Sequence, residues 1–415
     1  MNQSPKKRQR TVLKTEVSSQ QNLLQHLQAS GALFPKLEFV NTTSSGITAF
    51  ATDDIDVGEI CFSLPAESII TTTVVNESTI GTSMLKLKHS KQSSSVNVEM
   101  ISNEFLLCLY LIAAKRNVNH RFHHYAVSLS SKPPDPTNWP PDVQKQLCGT
   151  VASAVNKALS EIKSWYELCN AIDLVTPFNT NKPTIDELFW SRGHVVSRRF
   201  PEQLSSPISL SSSTDHSYSM LPGLDLMNHS NDANMEWDVD ANDGTIRFRT
   251  LKQIKKGEEC FNNYGPKSNT SLLFMHGFSL RNNPNDVVEL SLKTKDVNGK
   301  ISVLWEDKFY GNETSIPLSM LSNFIEDEGD DKKDVNGEDT IEISSDVIHY
   351  CLEYIQAQLR PLEVNQNEEL KILLCEEDEK EEKVDPRLRW IAIHHQSQRK
   401  ILIHLQSLLI KLLET

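Results

Sequence analysis

The chain has 415 residues, 38% of them hydrophobic and 7% aromatic, which is enough for two or three domains and a sizeable core. Its formal net charge of −13 is concentrated: residues 326–340 hold eight acids and two lysines, and residues 376–385 hold seven acids and two lysines. Such runs repel themselves and read as solvated loops, and the nearly neutral remainder argues against direct nucleic-acid binding.

The longest apolar run, Phe105 to Ala114, is too short to cross a bilayer and reads as a buried helix, so no membrane is expected. No apolar signal segment follows the start, which points to an intracellular protein, and the acid-free first 15 residues form no clear Arg/Ser-rich amphipathic helix, which favours nucleus or cytoplasm over chloroplast. Seven cysteines lie far apart with no CxxC pair, so neither a disulfide framework nor a metal site is indicated. The basic stretch Pro5–Arg10 fits a disordered tail over residues 1–18 or a nuclear-import signal, and both remain open.

In chain order, residues 19–32 have helical apolar spacing and stop at Gly31. Gly46–Phe50 and Glu59–Leu64 read as strand-turn-strand around Asp53-Asp54 and Gly58. Residues 76–98, rich in Ser, Asn and Lys, read as a surface loop. Helices follow: one with Phe105, Leu106, Leu109 and Ile112 on one face, one over 150–169, and one opened by the capping box Thr184-x-x-Glu187 and running toward Phe200. Residues 204–217 form a low-complexity loop. Strand signals return at 219–222, 235–239, 246–251 and 257–264. Beyond about 300 the pattern is helical, over Ser345–Leu359 with a stop at Pro361, and over Arg387–Leu413.

The window from Leu221 to Phe278 carries the chemistry. Asn228-His229 stands in an apolar Leu/Met setting, where an amide and an imidazole are costly to bury unless hydrogen-bonded. A satisfied core histidine beside a turn asparagine is the bland alternative, and Tyr264 before Gly265-Pro266 could be an ordinary strand-end tyrosine. Taken together, the residues resemble the SET-domain proteins of the RuBisCO large-subunit methyltransferase type, a group that includes ribosomal-protein lysine and actin-histidine methyltransferases. The resemblance runs through Leu23–Ala32, Ser45–Ala49 with Asp54-Ile55 and Gly58-Glu59, and Trp139 with Leu147-x-Gly149-Thr150. It continues through Ser197-Arg198-x-Phe200, Asp225-x-x-Asn228-His229, and Tyr264-Gly265 with Ser268-Asn269.

The resemblance implies an α+β architecture: a knotted, β-rich SET fold over residues 19–295 with a helical insertion at about 76–218. An all-α C-terminal substrate-binding domain with acidic loops would follow over 300–415. The absence of any GxG spacing agrees that no Rossmann-type nucleotide loop is present. The implied activity is S-adenosylmethionine-dependent methylation of a protein lysine. By the resemblance, the cofactor contacts Thr43, Ser44, Ser45 and Gly46, then Asn228 and His229, with Arg198 on its carboxylate. Tyr264 stands where donor and acceptor meet, and Asp225, Trp237 and His276 belong to the substrate side. Trp237 reads equally well as a core tryptophan.

Methyl transfer from a sulfonium is an in-line displacement, so positioning and desolvation are the main tasks. A lysine ammonium, with a pKa of about 10.4, is roughly 4–5 kcal/mol from its neutral form at pH 7 unless burial beside a positive sulfonium assists. Two departures stand out. Thr43-Ser44-Ser45 replace the family's usual acidic residue before the glycines. His276 replaces a frequent tyrosine, which keeps a histidine acceptor and a non-catalytic SET-derived binding module as alternatives. A monomer acting on a basic protein segment, such as a ribosomal protein or histone, is the expected arrangement.

Overall fold

The structure, a computed structural model, describes residues 17–42, 46–89, 98–172, 181–201, 218–295, 301–310, 345–364, 366–374 and 385–414. The basic stretch 5–10 and the loop 204–217 lie outside the described residues, as do both acidic runs except Asp385. The chain forms two compact units, one drawn from Met1–Pro134 and Leu159–Gly265, the other from Asp135–Ala158 and Pro266–Thr415. That boundary falls at Gly265, about 30 residues before the one expected from the sequence, and residues 135–158 go with the second unit.

The first unit is built on three short antiparallel sheets. In strand order they are β1 (Leu37–Thr42), β2 (Gly46–Ala51) and β9 (Glu259–Cys260); then β3 (Ile60–Leu64), β8 (Ile246–Thr250) and β7 (Met235–Val239); then β4 (Ile70–Thr71), β6 (Tyr218–Met220) and β5 (Arg199–Pro201). The two strands expected to form one hairpin therefore belong to different sheets: β2 pairs with β1 and β9, and β3 pairs with β8. The connection between them holds fully buried Ile55, which bridges Ile254, and Asp54 bonds Lys255. These contacts tie the turn to the far segment and prevent a simple hairpin. Strand β1 was not anticipated, although Leu37, Val40 and Thr42 are buried along it.

Phe62 centres the first core, stacked on Phe34 at 5.0 Å and edge-on to Phe39 at 6.2 Å. Truncating such a ring to alanine costs about 3–5 kcal/mol. The helix Asn103–Arg116 buries every residue from Phe105 to Ala114, so it is wrapped on all sides and has no single buried face. It packs on the helix Ile185–Arg198, which opens with the expected capping box in both directions. Residues 72–89, assigned in part to a loop, form helices Thr72–Glu77 and Thr79–His89. The second of these buries Ile80 and Met84, a single i, i+4 pair easily lost among polar residues.

The second unit contains an antiparallel hairpin of β10 (Val287–Lys295) and β11 (Ile301–Tyr310), so chain beyond 300 is not all helical. Helices Ser345–Glu363 and Pro386–Leu413 pack through Ile348, Cys351, Ile355 and Leu359 against Ile401, Leu402, Leu405 and Leu409. The first of these helices runs past Pro361, which lies in its last turn, where losing one backbone hydrogen bond is tolerable.

Candidate active site

The site lies within the first unit, where two distant segments exchange backbone bonds. The Asn262 amide donates to the Asn228 carbonyl at 2.9 Å, the Ser230 amide donates to the Asn262 carbonyl at 3.0 Å, and His229 and Asn262 form a parallel bridge. This clamp brings His229 to Tyr264: the Tyr264 amide donates to Nδ1 of His229 at 3.1 Å, and the rings stack at 5.1 Å. The Tyr264 hydroxyl donates to the Met227 carbonyl at 2.8 Å. Burial pushes that hydroxyl up to about 12, so Tyr264 stays a neutral phenol at physiological pH.

Asn228 is held from the other side. Its Nδ2 donates to Oε1 of Glu259 at 2.7 Å, and the Thr48 hydroxyl donates to the same oxygen at 2.8 Å. With its amide nitrogen engaged, Asn228 presents its oxygen as an acceptor. The Asn262 side chain is buried, and among the described residues nothing accepts a bond from its Nδ2.

Arg198 ends the helix Ile185–Arg198. Its Nη1 donates to the Asp225 carbonyl at 2.9 Å and lies 3.4 Å from the Asp225 carboxylate, while Nε is buried without an acceptor among the described residues. Asp225 also accepts from the Tyr125 hydroxyl at 2.6 Å and from the Gly223 amide at 3.2 Å. Burial pushes the Asp225 carboxyl above its usual range despite the opposing pull of Arg198 and Tyr125. Burial also works against the Arg198 charge, but Asp225 offsets it and holds the guanidinium above its ordinary range. Gly223 makes the turn into Asp225 possible. Its φ is +89°, and a Cβ there would lie 2.9 Å from Leu27 Cδ1 and 3.0 Å from Phe62 Cζ.

The sequence-derived site residues divide as follows. Arg198, Asp225, Asn228, His229 and Tyr264 belong to one hydrogen-bonded region of the first unit. Asp225 does not present a carboxylate to a substrate as expected, because its side chain is 0% exposed and both oxygens are engaged. It pairs instead with Arg198. Trp237 meets Phe200 edge-on at 6.2 Å and borders a depression of about 340 Å³ together with Asn262, Met235 and Leu251. Gly46 starts β2 with φ of +71°, and its carbonyl accepts from the Thr42 hydroxyl. Thr43, Ser44 and Ser45 lie outside the described residues. His276 ends the helix Asn269–His276 in the second unit and neighbours Phe278.

Sequence reasoning missed Tyr125, Thr48, Glu259 and Asn262. Asn262 adjoins the recognised Tyr264 segment, so its position was available as a signal. Thr48 likewise falls inside the recognised segment Ser45–Ala49, whereas nothing in the local sequence distinguishes Tyr125.

The overall fold matches solved SET-domain structures. The fold aligns with the SET domain of LSMT bound to lysine and AdoHcy at TM-score 0.72 and 17% identity, covering 96% of this chain and 92% of that one. Rubisco LSMT bound to AdoMet aligns at TM-score 0.71 and 17% identity, covering 95% and 92%. The SET-domain family matches residues 46–265, more than half of the chain, and the protein belongs to that family.

Among curated relatives, ribosomal lysine N-methyltransferase 1 of Saccharomyces cerevisiae is 26% identical over 345 residues, 73% of this chain and 54% of that protein. The N-lysine methyltransferase setd6 of Xenopus tropicalis is 28% identical over 280 residues, 63% and 58% respectively. The chain spans about half the length of the curated relatives it matches. Among the described residues, no helix is long and apolar enough to cross a membrane.

Proposed function

We propose that the protein is an S-adenosylmethionine-dependent protein-lysine N-methyltransferase. The observation that carries this reading is the pair of buried donors, Arg198 Nε and Asn262 Nδ2, which have no acceptor among the described residues around the Asn228–His229–Tyr264 clamp. Buried donors of this kind are rare in a finished interior, and a polar ligand would satisfy them. A cofactor with a carboxylate and a purine suits the set: Arg198 for the carboxylate, and Asn228, His229 and Gly46, with Thr43, Ser44 and Ser45 proposed from the sequence, for the rest.

When bound, S-adenosylmethionine supplies an electrophilic methyl group on a sulfonium. The chain's own residues then have to present and desolvate the acceptor amine. The Tyr264 hydroxyl oxygen and the Met227 carbonyl, 2.8 Å apart, form a pair of acceptors able to align an amine through its N–H groups. Because Tyr264 holds its proton up to about 12, its role is alignment and not proton abstraction. Trp237 and Phe200 are the proposed apolar wall of the acceptor channel, and His276 is proposed on the substrate side as well.

The names of two relatives, ribosomal lysine N-methyltransferase 1 of Saccharomyces cerevisiae and ribosomal lysine N-methyltransferase set10 of Schizosaccharomyces pombe, make a basic ribosomal-protein segment the proposed substrate, with nucleus or cytoplasm as its setting and a monomer as the working form. The decisive measurement is calorimetric titration of S-adenosylmethionine into the protein and into His229→Ala. Micromolar binding that the variant loses supports the reading, and absence of binding by the folded parent protein refutes it. Labelling cell extract with radioactive cofactor, followed by mass spectrometry, then identifies lysine or histidine as acceptor.

A further inference from the structure

The second unit holds a chain of side chains that methyl transfer does not use. The Cys148 sulfur lies 3.1 Å from Nε2 of His395, and Nδ1 of His395 lies 2.6 Å from Oε1 of Glu369. Arg399 Nη1 donates to the other Glu369 oxygen at 2.7 Å and also to the Leu362 carbonyl. His395, Glu369 and Arg399 are 4%, 7% and 5% exposed, so the arrangement is fixed by packing. The imidazole faces the thiol with one nitrogen and the carboxylate with the other, the order nucleophile, base, orienting acid. His395 stands between its partners, and no metal-binding convergence exists among the described residues.

Three further observations single out Cys148. Of the six described cysteines it is the one not buried. It sits immediately before the 23-residue helix Gly149–Ala171, whose amino terminus favours negative charge on sulfur. The adjoining Gly149 has open space where a side chain would be, so a small reagent can approach. Glu369 is kept ionised: burial opposes its charge, but His395 and Arg399 hold its carboxyl below the usual range.

We propose that Cys148 is a base-assisted nucleophilic thiol, with His395 as its base and Glu369 and Arg399 as positioning residues, and that it is a site of S-thiolation by small disulfides. In the reaction, His395 accepts the thiol proton as the Cys148 sulfur attacks one sulfur of the disulfide. A new S–S bond forms, the old one breaks, and the departing thiolate takes the proton from His395. The disulfide is the oxidant, one thiol is released, and the chain gains a mixed disulfide. This inference stands independently of the methyltransferase reading.

Burial, with a smaller contribution from Glu369, pushes the resting Cys148 thiol up to about 12. Relative to an ordinary thiol near 8.5, this lowers the thiolate fraction by roughly three orders of magnitude, and the greater nucleophilicity of a more basic thiolate restores about half of that on a logarithmic scale. Without a base, Cys148 would therefore react roughly 50-fold more slowly than a free thiol.

The test is the rate of mixed-disulfide formation with oxidised glutathione at pH 7.5 on the folded full chain, mapped to individual cysteines by mass spectrometry. The expected result is reaction at Cys148 at least as fast as at a cysteine in an unstructured peptide. His395→Gln should slow it roughly 100-fold while the melting curve is retained, and Glu369→Gln should fall between the two. Reaction about 50-fold slower than the peptide, or a folded His395→Gln that reacts as fast as the parent, overturns the proposal. The parent rate alone decides the matter if the variants do not fold.

Discussion

Replacing Tyr125 by phenylalanine removes one hydroxyl and takes the shortest hydrogen bond from a buried carboxylate. In the intact protein that hydroxyl donates to the Asp225 carboxylate at 2.6 Å, and the remaining partners are the Gly223 amide at 3.2 Å and Arg198 at 3.4 Å. A hydrogen bond to a buried ionised group contributes about 1.5–3 kcal/mol. For a unit of this size, about 2 kcal/mol corresponds to a fall in melting temperature of roughly 4–8 °C.

The effect must also depend on pH, with a defined sign. Burial raises the Asp225 carboxyl above its unfolded value, so its ionised form is the disfavoured one in the folded state. The group is least destabilising below the ordinary carboxylate range, and stability is lost as pH rises through the raised value. Tyr125 lowers that value, so its removal raises it further. The melting deficit of Tyr125→Phe should be larger above the raised value, where Asp225 is ionised, and shrink as the pH is lowered and Asp225 takes up a proton. Thermal melting of parent and variant across a pH series measures it. A deficit under 1 °C above the raised value, or one independent of pH, would refute the account of Asp225 as a buried charge stabilised by Tyr125.

Other expectations follow from the same geometry. Glu259→Ala frees the Asn228 amide and should weaken S-adenosylmethionine binding about tenfold, or 1.4 kcal/mol, by calorimetry; an unchanged affinity would remove Asn228 orientation from the account. Gly223→Ala places a Cβ against Leu27 and Phe62 at positive φ and should destabilise the protein by about 2–5 kcal/mol in denaturant melts. Burial holds His194 down to about 3, so below pH 6.5 the unfolded chain binds a proton that the folded one does not. Its contribution to stability falls by up to about 1.4 kcal/mol per pH unit between pH 6.5 and 3, and His194→Gln should flatten that part of the stability profile.

Elements whose cause is local were legible from neighbouring residues alone. The capping box at Thr184 and Glu187, the apolar block Phe105–Ala114 and the periodic helix after Pro386 depend on neighbours within a few turns, and each forms where its residues place it. The recognisable pieces of the site, Arg198, Asn228-His229 and Tyr264, were legible for the same reason, since each sits in a short distinctive segment.

Partnership was decided elsewhere. Strands β2 and β3 are adjacent in sequence yet join different sheets, because Ile55 is buried against Ile254, some 200 residues away. Asp225 has the composition of a substrate-binding acid, and the tertiary structure turns it inward onto Arg198 and Tyr125. Glu259 and Asn262 owe their roles to the crossing of residues 228–230 with 262. Cys148, His395 and Glu369 meet only in the folded second unit. Hydrogen bonds reach about 3 Å, so which polar groups share one depends on the return path of the chain, and no window of neighbouring residues contains that path.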